Sequence, residues 1–491
     1  MSESIMLQGT MSDVGKSFIT AALCRIFKED GHTPAPFKSQ NMALNSYITS
    51  DGYEIGRAQA LQAMAADIEP SPYMNPILLK PTTDVGSQVI VNGKVLSNMK
   101  AADYFKYKTK LIPDIMSAYN TLSDKHDIIV IEGAGSPVEL NLKKDDIVNM
   151  GIAKLTDSPV ILVGDIDRGG VFAQIVGTLQ LLEKDEKDLV KGIIINKFRG
   201  DKTLFNDGIR ILEDLTHKPV LGVIPHISID LEDEDSLSSK LSDRISDGVI
   251  DIAVIKLPKI SNFTDFDVFS QYDGVSVRFV SKKNELGTPD MLMIPGTKST
   301  VSDMRWLTDT GLSEQIKRCF EYDIPIFGIC GGYQIMGRTI SDPDNTECGG
   351  TAEGLGILNS ETVFNTEKTQ KKTNGTFNEI SGFFSCLSGS CFYGYEIHMG
   401  ETHDAGIPLT NHGGSFNRNA AGCYVHGIFD SADVCGRLVK KLYEAKGLTY
   451  TGSCIDRNEY RETQLDILSK TVRENLDIER IYRIMREHNG T

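Results

Sequence analysis

A cysteine set between glycines has the surroundings of a reactive nucleophile. The apolar run 325–329 ends at Cys330, and Gly331 begins a turn into a helical pattern. A tight strand–turn–helix exposes such a side chain, because glycines tolerate strained backbone angles and leave room around the sulfur. The N-terminus of the following helix favours the thiolate form. The pattern predicts a nucleophilic thiol at Cys330, with a buried structural cysteine as the alternative.

A general base for this thiol has to come from elsewhere in the chain. His426 lies at the end of a short apolar run, and a strand-like run over 290–294 leads into a turn at Gly296. Neighbouring parallel strands bring their carboxyl ends to one crevice, so the backbone N–H groups of Gly296 and Gly331 are candidate oxyanion donors. We expect Cys330 and His426 to form a catalytic pair, and a satisfied core histidine is the alternative.

A second group of residues is suited to binding phosphate. A short apolar run precedes a glycine-rich loop, which leads into a helical pattern over 18–27. Loop N–H groups and the helix dipole cradle phosphates, while the lysine reaches the terminal phosphates and the serine hydroxyl ligates Mg²⁺. The loop is one residue longer than the common Walker A pattern, and a glycine-rich turn with a surface lysine is the alternative. The predicted ATP-binding residues of this loop are Gly9, Thr10, Val14, Gly15, Lys16 and Ser17.

Polar residues follow three further apolar runs in this half. The runs have the composition of buried strands and cover 127–131, 160–163 and 192–195. Glu132 follows the first run and is the second candidate Mg²⁺ ligand beside Ser17. Asp165 either binds the metal or caps the following segment. Asn196 lies where such folds can recognise a nucleotide base. Strands that alternate with helical segments predict an α/β fold with a doubly wound parallel sheet.

Length and charge limit the class of protein. A chain of 491 residues is too long for one core. We expect two α/β domains with doubly wound parallel sheets, 1–245 and 246–491, divided near the acidic run 231–236 and ending in a helical tail. The formal charge of −16 argues against nucleic-acid binding. No apolar run approaches the roughly 18 residues of a membrane span, so no membrane partner is expected.

Cysteine usage predicts the compartment. The nine cysteines are scattered, and none forms a Cys-x-x-Cys pair, so a zinc site is not expected. The N-terminal segment lacks the basic and apolar regions of a secretory signal. Both features predict a cytoplasmic protein with reduced thiols.

These groups of residues resemble known families. The phosphate loop with 132–135 is similar to the dethiobiotin synthetase-like branch of P-loop proteins, which activates carboxylates with ATP. Cys330 with His426 resembles the class I glutamine amidotransferases, which have a flavodoxin-like fold and in which the cysteine attacks the glutamine amide. Three longer blocks narrow the resemblance to the cobyric acid synthase family: 37–46, 54–59 and 74–81. Within the first block, Lys38 and Asn41 are predicted to face substrate or phosphate.

The resemblance implies a specific reaction. It implies ATP and Mg²⁺ as cofactors, and glutamine and a corrinoid polycarboxylate as substrates. It further implies that the b, d, e and g carboxylates of adenosylcobyrinic acid a,c-diamide become amides, giving adenosylcobyric acid. The alternatives are the related a,c-diamide synthase and a non-catalytic P-loop partitioning or regulatory protein. The sequence makes no prediction of the oligomeric state, the order of amidation or the ammonia route.

One position departs from the common amidotransferase pattern. The usual triad has a glutamate two residues after the histidine, and here Ile428 occupies that position. The cobalamin-type amidotransferases resemble this sequence in lacking the glutamate. The group that orients His426 stays open at this point, with Glu396 and Asp430 as weak candidates.

Overall fold

The computed structural model describes residues 2–83, 86–231, 248–404, 406–488 and 490. In chain order, the strands of the first half are β1 (Glu3–Gly9), β2 (Pro34–Phe37), β3 (Gln40–Met42), β4 (Ser46–Ile48), β5 (Glu54–Gly56), β6 (Ile77–Thr83), β7 (Gly86–Val91), β8 (Lys94–Lys100), β9 (Ile128–Glu132), β10 (Val160–Asp165), β11 (Val190–Phe198) and β12 (Val220–Pro225). Its helices are α1 (Lys16–Glu29), α2 (Arg57–Ala65), α3 (Ala101–Tyr107), α4 (Ile112–Ser123), α5 (Met150–Leu155), α6 (Val171–Leu181), α7 (Lys184–Leu189) and α8 (Asn206–Thr216).

A six-stranded parallel sheet forms the centre of the first half. Its order is β12-β11-β10-β1-β9-β2. Strands β9 and β10 are buried along their whole length, as expected of a parallel sheet with helices on both faces. Because β1 lies between β9 and β10, the loop after β1 and the carboxylate that ends β9 meet at one edge. The predicted doubly wound sheet is confirmed.

In chain order, the strands of the second half are β13 (Ile250–Ile255), β14 (Ile260–Ser261), β15 (Val275–Val280), β16 (Met291–Ile294), β17 (Gly296–Thr297), β18 (Ile326–Ile329), β19 (Thr339–Asp342), β20 (Gly350–Glu353), β21 (Ser360–Thr376), β22 (Cys391–Asp404), β23 (Ser415–Asn417) and β24 (Ala420–Cys423). Its helices are α9 (Lys283–Leu286), α10 (Thr300–Asp309), α11 (Leu312–Glu321), α12 (Gly331–Met336), α13 (Ala432–Ala445), α14 (Arg457–Arg473) and α15 (Ile478–His488). A 3-10 helix covers Phe263–Gln271.

The second half has its own parallel sheet. The order is β15-β13-β16-β18-β24-β23, and only the edge strand β23 runs antiparallel. The neighbouring strands β16, β18 and β24 lead into the segments that carry Gly296, Cys330 and His426. The order of this sheet therefore brings the three predicted positions to one edge, as adjacent parallel strands require.

Helices α14 and α15 pack mainly on the first half. Leu465, Leu468 and Val472 of α14 join the buried core around α1 and β1. Arg25 of α1 pairs with Asp466 at 2.6 Å, at the edge of this contact. The sequence analysis places the tail in the range 246–491. An amphipathic pattern shows that a helix has a buried face, but it does not identify the surface that this face covers.

The predicted boundary between 245 and 246 lies outside the described residues. The limits 1–245 and 246–491 therefore stay a prediction. Within the described ranges, every helix is too short or too polar to cross a lipid bilayer.

Candidate functional site

The phosphate loop lies between β1 and α1, as its sequence predicts. Gly15 has φ +93°, and a Cβ there would lie 2.3 Å from the Asn196 side-chain nitrogen, so a larger residue is excluded. Asn196 donates from that nitrogen to the Val14 carbonyl oxygen at 2.8 Å. Lys16 donates to the carbonyl oxygen of Gly135 at 3.4 Å, across the loop that follows β9. The lysine thus extends over the edge of the sheet where phosphates would lie.

Glu132 is the centre of a buried polar cluster beside this loop. Ser17 Oγ donates to Glu132 Oε1 at 2.8 Å, and Lys38 Nζ donates to the same oxygen at 2.9 Å. Gln62 Nε2 donates to Oε2 at 2.6 Å. Burial raises the pKa of the Glu132 carboxyl, but the charges of Lys38 and Lys16 and the hydrogen bonds outweigh burial and lower it. Glu132 is therefore held as a carboxylate next to the serine hydroxyl.

This cluster has the donor set that Mg²⁺ takes at phosphate sites. One carboxylate and one hydroxyl, with the remaining positions left for phosphate oxygens and water, suit an octahedral cation. Among the described residues, no three or more His, Cys, Asp or Glu side chains lie close enough together to hold a metal ion. Ser17 and Glu132 therefore fit a nucleotide-bound Mg²⁺ rather than a metal held by protein alone.

The side chains of Asn41 and Asp165, two other predicted residues of this half, contact protein groups. Asn41 is buried and donates to Gln59 Oε1 at 2.9 Å, so its side chain faces a protein partner. Asp165 accepts from the backbone N–H of Asp167 at 2.8 Å and pairs with Lys197 at 3.0 Å. Of the two predicted roles for Asp165, its contacts are those of a cap. Contact of Asn41 with substrate and of Asn196 with a base both stay predictions.

Cys330 occupies a strained turn between β18 and α12. Its backbone has φ 51° and ψ −109°, a conformation that L-residues rarely adopt. A Cβ on Gly331 would lie 2.7 Å from the Thr297 side chain, so the turn needs glycine at that position. The sulfur lies 3.6 Å from the carbonyl oxygen of Ile397. The turn has the strand–turn–helix geometry that the sequence predicts, and the role of Cys330 as a nucleophile stays a prediction.

An aspartate, distant in sequence, orients His426. His426 Nδ1 lies 2.7 Å from Asp265 Oδ2, and Asp265 Oδ1 accepts from the backbone N–H of Gly427 at 3.0 Å. Both side chains are buried. Burial lowers the pKa of the imidazole, but the Asp265 carboxylate and the Cys330 sulfur raise it to about 10. Cys330, His426 and Asp265 therefore have the arrangement of a candidate triad, with the acid supplied by the 3-10 helix Phe263–Gln271.

The two acids suggested by the sequence have other partners. Glu396 lies 3.4 Å from His398 Nε2 and accepts from the Thr373 hydroxyl at 3.0 Å. Asp430 pairs with Arg457 at 3.1 Å. Both suggestions are corrected by the contact between Asp265 and His426. A signal in the sequence is that Asp265 lies between Phe263 and Phe266, since an acid is seldom buried among apolar residues unless it is paired.

His426 is also close to residues that contact the first half of the chain. The Tyr395 ring stacks on His426 with centroids 5.3 Å apart, and its hydroxyl donates to the Ser46 carbonyl oxygen at 3.1 Å. Asn262 Nδ2 lies 3.4 Å from His426 Nε2, and Asn262 Oδ1 accepts from the Ser46 N–H at 3.0 Å. Strand β4 of the first half therefore contacts two direct neighbours of the His426 imidazole.

A buried ion cluster forms a second contact between the halves. Glu54 of the first half pairs with Lys80 at 2.8 Å and with Lys368 of the second half at 2.6 Å. Gln370 also donates to Glu54, at 2.9 Å. Burial raises the pKa of the Glu54 carboxyl, but the two lysines lower it well below its ordinary range. Glu54 has no exposed surface, and its Oε2 atom has its partners Lys368 and Gln370 only while the halves are joined.

The fold and the two sites define a class of enzyme, and comparison with known proteins supports it. Residues 5–236 match the CobQ/CobB/MinD/ParA nucleotide binding domain, and residues 251–434 match the CobB/CobQ-like glutamine amidotransferase domain. The chain is a glutamine-dependent amidoligase that binds ATP through its P-loop.

The family follows from full-length relatives. The cobyric acid synthase of Ruminiclostridium cellulolyticum is 50% identical over 99% of this chain and 98% of its own length. That of Lachnoclostridium phytofermentans is 50% identical over 99% and 100%, and that of Salmonella arizonae is 47% identical over 99% and 99%. The chain belongs to the cobyric acid synthase family.

Proposed function

We propose that this enzyme amidates the b, d, e and g carboxylates of adenosylcobyrinic acid a,c-diamide to give adenosylcobyric acid. Glutamine supplies the nitrogen and ATP activates each carboxylate. The observation that carries the proposal is the junction at Ser46, which links the triad to the domain of the Ser17–Glu132 cluster. A glutaminase and a P-loop site so joined fit a reaction that makes ammonia at one site and uses it at the other.

The chemistry at the triad begins with the Cys330 thiolate. The thiolate attacks the side-chain amide carbon of glutamine, and the imidazolium of His426 gives a proton to the departing ammonia. Asp265 keeps the imidazole in the orientation that this transfer needs. The N–H groups of Gly296 and Gly331 are our candidates to stabilise the oxyanion. A water then hydrolyses the thioester, releasing glutamate.

The chemistry at the P-loop converts a poor electrophile into a good one. A substrate carboxylate attacks the terminal phosphorus of ATP, which forms an acyl phosphate and releases ADP. Ammonia then attacks the acyl carbon and displaces inorganic phosphate to give the amide. Lys16 and Lys38 offset the negative charge of the phosphates. Mg²⁺, held by Ser17 and Glu132, would supply further positive charge there. Asn196 is our candidate for contact with the base, and Asn41 for contact with substrate.

The cellular setting follows from the same chemistry. All nine cysteines are free thiols in the fold, including the exposed Cys348, Cys391 and Cys454. A reducing compartment favours nine free thiols and a reduced nucleophile at Cys330. We place the reaction in the cytoplasm.

The test is a product analysis by mass spectrometry. The enzyme is incubated with the a,c-diamide, ATP, Mg²⁺ and glutamine, and samples are taken through the reaction. We expect four successive amides and no further change. Amidation of cobyrinic acid at the a and c positions instead, with no reaction of the diamide, would assign the chain to the a,c-diamide synthase reaction.

A further inference from the structure

A pocket of about 310 Å³ opens beside the P-loop site. Its apolar lining includes Met42 of β3, Met99 of β8, Phe105 of α3 and Leu142. Three of these side chains are also exposed at the surface: 61% of Met42, 41% of Phe105 and 41% of Leu142. Apolar side chains grouped around a cavity are typical of a surface that binds an apolar ligand. We call this feature the Lys108 pocket, after a lysine in its lining.

The inner wall of the Lys108 pocket is continuous with the ATP site. Gly135 lines the pocket, and its carbonyl oxygen accepts from Lys16 of the P-loop at 3.4 Å. Gln40 also lines the pocket, two residues beyond Lys38, and accepts from the Tyr104 hydroxyl at 2.5 Å. A molecule in the pocket therefore lies against the loops that hold the phosphate-binding lysines.

The pocket also contains a cation that lacks a counter-ion. Lys108 is only 6% exposed, and its ammonium lies 4.9 Å from the centre of the Phe105 ring. Among the residues that the structure describes, none forms an ion pair with it. The Asp146 carboxylate, which also borders the pocket, accepts instead from the backbone N–H groups of Val148, Asn149 and Gly151. Burial lowers the pKa of the Lys108 ammonium. The charges of Asp146 and Asp145 raise this pKa but do not offset the effect of burial.

The second lysine in the wall is already paired. Lys143 lies 2.6 Å from Glu186 and 3.4 Å from Glu183. Lys108 is thus the cation that a ligand can use. A buried ammonium in an apolar cavity is costly unless an anion joins it. The pocket therefore suits a ligand that is apolar in its body and carries carboxylates at its edge.

We propose that the Lys108 pocket binds the corrinoid substrate, and this rests on the proposed function. The cavity takes one edge of the macrocycle, while the ring lies over the exposed side chains of Met42, Phe105 and Leu142. Lys108 pairs with a carboxylate side chain that is not reacting, and another carboxylate reaches the phosphates beside Lys16. An ammonium binds a carboxylate more strongly than an amide. The affinity of the pocket for the corrinoid therefore falls as amides replace carboxylates, and this favours release of the product.

The first test is the KM for the a,c-diamide at saturating ATP and glutamine. Replacing Lys108→Met keeps the length of the side chain and removes its charge. We expect KM to rise about 10- to 100-fold, the value of one hydrogen-bonded ion pair, with a much smaller change in kcat. Lys106→Met, at an exposed position of helix α3 two residues before Lys108, is the matched control and should leave KM unchanged. Thermal unfolding of each variant reports whether the fold survives.

A second variant keeps the proposal testable if Lys108→Met does not fold. Met42→Glu adds a carboxylate at an exposed rim position and should raise the same KM by repelling the substrate. Leu204→Glu makes the same change at a residue that is 83% exposed and does not line the pocket. An unchanged KM in Met42→Glu and in any folded Lys108→Met, with a wild type that forms four amides, would overturn the pocket assignment. A wild type that does not amidate the diamide would instead overturn the proposed function.

Discussion

Asp265 Oδ2 lies 2.7 Å from His426 Nδ1, although the two residues are 161 positions apart in the chain. This contact supplies the carboxylate that the sequence lacks at Ile428. It holds the imidazole in one orientation and stabilises its protonated form against a buried setting. The candidate triad is therefore assembled from the turn after β18, the segment after β24 and a 3-10 helix.

The first prediction concerns this carboxylate. Asp265→Asn keeps the shape of the side chain but removes its charge, so the imidazolium loses its stabilisation. Glutaminase kcat should fall by about 100- to 10,000-fold, measured by glutamate release. Glu396→Gln is the control, and its effect should be small. Equal losses in the two variants would show that Asp265 has no special role.

The second prediction is the pH dependence of the same pair. The pKa of His426 is raised to about 10, above the ordinary value of 6.5. The stability contributed by the charged imidazole is therefore fully present below 6.5 and is lost as pH rises through about 10. The difference in melting temperature between wild type and Asp265→Asn should be largest below pH 6.5 and shrink toward pH 10. A difference that stays constant over this range would contradict the raised pKa.

The third prediction concerns the P-loop site. Glu132→Gln removes the charge next to Ser17 and Lys38 while keeping the side chain's shape. Amidation with glutamine and amidation with free ammonia should both fall by about 100- to 1,000-fold, because both need ATP to activate the carboxylate. Glu69→Gln, an exposed acid of the same half, should have no effect. Loss of the glutamine-dependent reaction alone would count against a role for Glu132 in activation.

The fourth prediction concerns the junction at Ser46. Tyr395→Phe removes the hydroxyl that donates to the Ser46 carbonyl oxygen and keeps the ring that stacks on His426. If this junction couples the two sites, ATP and corrinoid should stimulate the wild-type glutaminase. One hydrogen bond is worth about 0.5–1.5 kcal/mol, so we expect that stimulation to be about 2- to 10-fold smaller in Tyr395→Phe. More glutamine would then be hydrolysed for each amide formed. Tyr393→Phe, two residues away, should retain wild-type stoichiometry.

The fifth prediction concerns the ion cluster between the halves. Glu54→Gln leaves the buried ammonium groups of Lys80 and Lys368 without their carboxylate. We expect the free energy of unfolding in urea to fall by about 3–5 kcal/mol. The control is Glu361→Gln, whose pair with Arg338 is on the surface and worth about 0–1 kcal/mol. Similar losses in the two variants would contradict a structural role for the cluster.

The sequence predicted those parts of the site that lie at the ends of strands. Cys330, His426 and the P-loop each follow an apolar run, and the topology of the sheets explains why such residues meet. Asp265 was missed because it lies on a short 3-10 helix and reaches the triad only through tertiary packing. Local spacing favoured Glu396 and Asp430, which are closer to His426 in sequence.

The packing of α14 on α1 and the contacts at Ser46 could not be predicted from the sequence, because both depend on tertiary structure. Helix α14 shows a clear apolar face, but its partner α1 lies some 440 residues earlier in the chain. The Ser46 contacts use backbone atoms, which carry no residue-specific signal. Contacts of these kinds depend on how the two halves pack together.

The most direct test of the central claim uses Cys330→Ala and two nitrogen sources. The claim is that the triad makes ammonia for a carboxylate that is activated at the P-loop. Product formation from the a,c-diamide is measured with ATP and either glutamine or free ammonia. We predict that Cys330→Ala loses the glutamine-dependent reaction and keeps the ammonia-dependent one, while Lys16→Ala loses both. A folded Cys330→Ala variant that still uses glutamine, or that cannot use ammonia, would contradict the account.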